Sequence, residues 1–110
     1  MTGYDLTPEL LELMAARFKA LGERARLQIL VAVRDGERTV TEIGAATGLG
    51  QANLSKHLQL LHSLGFLARR REGLRVYYGL SGEDVFRLCD VMCGRLAGEA
   101  AARSRLFRSD

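Results

Sequence analysis

Residues 39–78 read TVTEIGAATGLGQANLSKHLQLLHSLGFLARRREGLRVYY, and the order of elements they dictate decides the fold. Thr41 is placed to cap a short helix that carries Ile43 and Ala46 and stops at Gly48. A Thr hydroxyl can accept from an orphan backbone N–H, and Gly closes helices readily. After Gly48-Leu49-Gly50 a longer helix runs from about Gln51 to Leu64, with Leu54, Leu58 and Leu61 on one apolar stripe. Phe66–Arg71 and Arg75–Leu80 then flank Glu72-Gly73-Leu74 as two short strands, Val76, Tyr78 and Leu80 alternating with Arg75 and Tyr77. Two helices joined by a three-residue glycine turn and followed by a hairpin predict a helix-turn-helix over about 39–64 and a wing over about 66–80.

The flanks extend this frame with helices. Thr7-Pro8 opens one over about 8–21, with Leu10, Leu11, Met14, Phe18 and Leu21 at helical spacing. Ala25–Arg34 carries Leu27, Ile29, Leu30 and Val33 before Asp35-Gly36 provides a stop. Ser81 is placed to cap a last helix over about 82–103, with Glu83 and Asp84 in its first turn. Only the ends, to about Asp5 and from about Ser104, read as loose. At 110 residues and 47% hydrophobic content, residues 1–110 form one domain with one core. The fold class is mainly α with a small β-hairpin, in the order α1-α2-α3-α4-β-β-α5.

The net charge of +3 matters less than its placement. Residues 1–16 carry Asp5, Glu9 and Glu12 without a single Lys or Arg, whereas residues 68–78 hold four Arg against Glu72. A local concentration of basic residues is the footprint of an anionic polymer partner. No apolar run approaches the roughly 20 residues of a membrane helix, and the acidic start is unlike a signal peptide. A cytoplasmic protein without a membrane partner is expected. A phosphate-cradling glycine loop, a His-Glu-x-x-His zinc motif and a nucleophile elbow are all missing, and the two Cys are not spaced Cys-x-x-Cys, so the chain does not read as an enzyme.

With the leucine stripe inward, Ala52, Asn53, Lys56, Gln59 and Ser63 turn outward, with Gln51, Ser55 and His57 on the flanks. Gln and Asn suit adenine edges, Lys suits guanine or phosphate, and Ser either. Gln51, Asn53 and Lys56 lie nearest the helix N-terminus, where such helices meet bases. Taken alone this is equally a solvated helix face. Arg69, Arg70, Arg71 and Arg75 crowd the adjoining turn, where their repulsion favours an anionic partner; the alternative is protection of a strand edge. Together they make double-stranded DNA the expected partner, with Gln51, Asn53, Ser55, Lys56, His57 and the four Arg as contacts. A winged helix that binds protein is the competing reading.

Ala20–Leu30, Ser55-Lys-His-Leu58, Leu64-Gly-Phe-Leu67 and Arg71–Tyr78 together resemble the ArsR/SmtB family along nearly the whole chain. The resemblance implies a homodimeric winged-helix repressor whose terminal helices, 8–21 and 82–103, make the dimer. It also implies an inverted-repeat operator that inducer binding releases. The chain departs from the family at two sensor sites: Thr39–Ala46 lacks the family's cysteine motif, and Phe86 replaces the His in the Asp-x-His pattern that would begin at Asp84.

Cys89 and Cys93 form an i,i+4 pair on the last helix, on or beside the apolar stripe of Val85, Leu88, Met92, Leu96 and Ala100. A two-fold mate would bring four sulfurs together, able to hold a metal or metalloid such as As(III) or Zn as thiolates, or to be linked by oxidant or reactive sulfur. Two small buried hydrophobes on a packing face is the competing reading. The fold itself requires no cofactor. His57 and His62 point about 140° apart on their helix and cannot share one local metal; His57 either buttresses the helix or touches DNA.

Overall fold

The computed structural model describes residues 3–107; expectations for residues 1–2 and 108–110 lie outside the described residues. Helix starts follow from capping chemistry. In α1, Pro8–Leu21, the Thr7 hydroxyl accepts from the Leu10 N–H at 3.2 Å and Pro8 fills a position that needs no donor. α2 spans Arg24–Ala32 and ends before Asp35-Gly36, because the Val33 N–H already turns back to the carbonyls of Ile29 and Leu30.

Thr39, and not Thr41, caps α3, Val40–Thr47. The earlier start places Glu42 three residues on, where a reciprocal box closes. Thr39 Oγ1 accepts from the Glu42 N–H at 3.2 Å, and Glu42 Oε1 accepts from the Thr39 N–H at 2.9 Å. Gly48, with φ of 72°, ends α3 in the left-handed region, and α4 follows as Gln51–Ser63.

The wing is a ladder of β2, Leu67–Glu72, against β3, Arg75–Leu80, with Leu67 opposite Leu80 and Glu72 opposite Arg75. A third strand, β1 at Arg38–Thr39, pairs antiparallel with the other edge of β3 and gives the order β1-β3-β2. Two residues are too short to carry an alternating pattern, so this strand has no signature in the sequence. Ser81 does not cap the last helix; its hydroxyl donates to the Gly65 carbonyl and ties the end of the wing to the end of α4. The last helix, α5, instead runs Asp84–Leu106, past the Ser104 at which the chain was expected to loosen. No described helix is long and apolar enough to cross a membrane.

The core gathers Ile29, Leu30 and Val33 of α2 and its cap, Ile43 of α3, Leu54, Leu58 and Leu61 of α4, Leu67 and Tyr78 of the wing, and Val85 of α5. α1 buries only Ala20 and α5 only Val85. The terminal helices therefore lie beside the core, touching it through Leu21, Val85 and Phe86, while most of their large apolar side chains face outward.

Truncating the fully buried Leu61 to Ala should cost about 2–5 kcal/mol, read as a lower urea midpoint at unchanged m-value. Leu74, 97% exposed at the wing tip, should tolerate the same change within about 0.5 kcal/mol.

Candidate nucleic-acid interface

Burial of Leu54, Leu58 and Leu61 fixes the rotation of α4 and leaves Gln51, Asn53, Ser55 and Lys56 exposed on the far side. The first turn of α4 carries no acidic residue, so the positive end of the helix dipole is uncompensated there. His57 stands apart from this group. Its side chain is 15% exposed, and its Nδ1 accepts from Arg26 Nε at 3.2 Å, so it faces the junction with α2.

The four wing arginines are not equivalent. Directly opposed residues of an antiparallel ladder share a face, so Arg69 and Arg71 lie with Tyr78 and Val76, whereas Arg70 lies with Tyr77, Glu72 and Arg75. Arg70 is held from several sides: Nε bonds to Glu37 Oε1 at 3.1 Å, one terminal nitrogen bonds to Glu37 Oε1 at 2.5 Å and the other to Glu72 Oε2 at 2.7 Å. Its guanidinium also stacks 4.4 Å from the Tyr77 ring centroid. These carboxylates raise the Arg70 pKa further, and the hydrogen bonds from Arg70 hold the Glu37 carboxyl below its ordinary value. The anionic partner expected for the crowded arginines is thus intramolecular for Arg70. Arg69, Arg71 and Arg75 are exposed and carry no ion pair among the described residues.

The structure brings the exposed α4 residues and the wing onto one connected unit, since Leu67 at the foot of β2 and Tyr78 of β3 pack into the core that holds α4. Two elements of this arrangement escaped the sequence reading. Glu37 lies 33 residues before the arginine it grips, and Arg26 lies 31 residues before His57. Pairings of that span have no local pattern to reveal them.

Cys89 is half-buried and Cys93 exposed on α5, both as free thiols. Burial, followed by the neighbouring Cys93 and Asp90, pushes the Cys89 thiol up, against a smaller opposing effect of Arg34. Phe86, at the position that would need a His for the resembled zinc site, receives the Arg34 guanidinium 4.9 Å from its ring centroid. Among the described residues no group of three or more His, Cys, Asp or Glu comes together within the protomer, so a metal at Cys89 and Cys93 would find two donors here.

Comparison with known proteins places this geometry. Residues 23–69 match the family described as bacterial regulatory protein, arsR family. The solution NMR structure of the homodimeric winged helix-turn-helix DNA-binding domain of Mb0332 from Mycobacterium bovis is 40% identical, with a TM-score of 0.73 over 94% of this chain and 95% of that one. The chain belongs to the arsR family. That family is one of bacterial regulatory proteins. Among curated relatives of this arsR-family chain, the regulator Rv0324 of Mycobacterium tuberculosis is 46% identical over 84 residues, covering 76% of this chain and 37% of its own length. The arsenic resistance transcriptional regulator ArsR1 of Pseudomonas putida is 44% identical over 68 residues, covering 60% of this chain and 52% of its own. The chain therefore spans between a third and about half of these two relatives.

The clamp on Arg70 carries a pH signature. A carboxyl whose folded pKa is depressed contributes stability that is complete above the ordinary glutamate value of 4.5 and is lost as pH falls through the lower folded value. Acid titration followed by NMR should shift the backbone amides of 70 and 77 in that range, and Glu37→Gln should reduce the shift; a titration unchanged by Glu37→Gln would remove the clamp.

Proposed function

We propose that this arsR-family regulator binds double-stranded DNA as a homodimer and acts as a repressor released by a thiol-reactive signal at Cys89 and Cys93. One observation carries the DNA reading: the exposed, acid-free face of α4 stands on the same connected unit as a wing whose Arg69, Arg71 and Arg75 carry no ion pair among the described residues. In this reading Gln51, Asn53, Ser55 and Lys56 enter the major groove, and the wing arginines meet phosphate or the minor groove. Arg70, already neutralised by Glu37 and Glu72, aims the wing more than it binds phosphate.

The dimer reading is supported by what α1 and α5 leave uncovered. Leu11, Met14 and Phe18 on α1 and Leu88, Met92 and Leu96 on α5 are each 38–56% exposed. A 23-residue helix with one buried side chain gains too little from its own protomer to hold its length, so an apolar partner must cover it. A second copy offers the matching face and would place an inverted-repeat operator across its two-fold axis.

For the signal, two thiols one turn apart suit a soft, thiophilic ligand, which displaces thiol protons as it binds. The raised pKa of Cys89 opposes thiolate formation and so slows oxidation and metal binding alike; the preference for metal or metalloid over oxidant rests on the softness of the paired sulfurs. A relative named for arsenic resistance supports the same choice. The two-fold mate would add two more sulfurs.

Binding to a duplex selected from a random pool by the wild-type protein should weaken steeply with salt, with a log–log slope of about −0.9 per neutralised phosphate. Arg69→Gln, Arg71→Gln and Arg75→Gln should each flatten the slope by about 0.9, and Arg70→Gln by much less. A slope insensitive to all four would favour a protein-binding winged helix. Leu96→Asp should yield monomers by light scattering. Replacement of both cysteines by Ser should abolish release of the duplex by arsenite, zinc, peroxide or persulfide; release that persists would leave Cys89 and Cys93 as packing residues.

A further inference from the structure

Arg26 of α2 sends one guanidinium into the corner between three elements. One terminal nitrogen donates to the Ala20 carbonyl in the last turn of α1 at 3.2 Å, Nε donates to His57 Nδ1 on α4 at 3.2 Å, and the other terminal nitrogen pairs with Glu23 at 3.0 Å. The side chains of Arg26 and His57 are 16% and 15% exposed. Arginine can only donate, so His57 Nδ1 carries a lone pair and the ring proton sits on Nε2, 3.8 Å from Glu23 Oε1. Glu23 and Arg26 are the charged groups that face the imidazole from α2, and Lys56 adjoins it on α4.

We propose that Arg26 is a positioning residue that sets the angle of α4 against the α1–α2 corner, with His57 serving as its acceptor and not as a DNA contact. The inference rests on reading α4 as the helix that enters DNA. Its physical basis is that a planar guanidinium satisfies three directions at once, whereas a single ammonium satisfies one well. Removing Arg26 leaves the Ala20 carbonyl and His57 Nδ1 largely dry and unpaired, a penalty the corner can relieve only by opening to water. Opening tilts α4. In a two-fold dimer the tilt is applied twice, and both helices must still meet half-sites one helical turn apart. Because α1 carries the proposed dimer face, the same guanidinium ties the orientation of the DNA-reading helix to the helix that pairs the protomers.

The test separates positioning from contact. Asn at position 57 puts an acceptor near where Nδ1 lies and nothing at Nε2, whereas Leu keeps bulk and supplies neither. With the selected duplex, Arg26→Met and His57→Leu should each weaken binding by about tenfold or more at unchanged dimer mass, Arg26→Lys should recover part of the loss, and His57→Asn should stay within about threefold of wild type. Loss of binding in His57→Asn equal to that in His57→Leu would assign His57 to DNA and overturn the proposal. Should Arg26→Met fail to fold, the Asn and Leu variants at 57 decide the matter alone. In the DNA-free protein, nitrogen-15 NMR should report an unprotonated, hydrogen-bonded Nδ1 at His57 that changes in Arg26→Lys; an unchanged signal would overturn the link whatever the DNA result. A wild-type protein that selects no duplex would instead sink the reading of α4, with the NMR result still standing.

Discussion

The leucine stripe of α4 is the interaction on which the rest of the molecule depends. Leu54, Leu58 and Leu61 are each at most 2% exposed, and burying each is worth about 1.5–3 kcal/mol. Rotating the helix by one residue would trade the three leucines for Ser55, Gln59 and His62, or for Asn53, His57 and Leu60, so the stripe sets the rotation of α4 with little freedom. What faces solvent is then decided by subtraction. The same core takes Leu67 and Tyr78, so the wing is rooted in the surface that orients the helix, and the two cannot be set independently.

Electrostatics refines what packing leaves. Four arginines within seven residues would repel, and the fold answers by pinning Arg70 between Glu37 and Glu72 and against Tyr77. Arg70 and Arg75 together offset Glu37 and Glu72, so that face of the wing is close to neutral. On the proposed reading, a phosphate backbone is drawn to Arg69, Arg71 and Arg75 rather than to the engaged Arg70. The hairpin is rooted through Leu67 and Tyr78, and the clamp limits the sway of the part beyond them. Exposed ion pairs contribute little to global stability, so the work of this cluster is orientation.

Much of this was legible in the sequence because it is local. Thr7-Pro8, the leucine period of residues 54–61, and the alternation of 75–80 around Gly73 each settle their own element. The failures are where local rules compete. Thr39 and Thr41 both read as caps, and only the reciprocal bond with Glu42 chooses between them. Ser81 has the composition of a cap, yet a tertiary acceptor, the Gly65 carbonyl, claims its hydroxyl. For the candidate site, periodicity was enough to list exposed residues on α4 and the wing. It could not distinguish the arginine that is neutralised from the three that are not, nor turn His57 inward, because Glu37 and Arg26 come from more than 30 residues away.

The placement of the cysteines constrains how a signal could reach DNA. α5 contributes only first-turn side chains, buried Val85 and partly buried Phe86, to the core that holds α4. On the proposed reading, a ligand drawn between Cys89 and Cys93 would therefore act first on the proposed seam between protomers, on the outer reach of α5, and not on the reading helix of its own chain. Within a protomer the other helix of that proposed seam is α1, whose last turn is held by Arg26, and Arg26 also holds α4. A shift in the seam thus has a stiff, polar path to the angle of the reading helix, whereas a path through the apolar core would be cushioned by side chains that slide. Energy spent at the sulfurs need only exceed the differential cost of the two helix angles, since a ligand shifts an equilibrium by its difference in affinity between states and by nothing else.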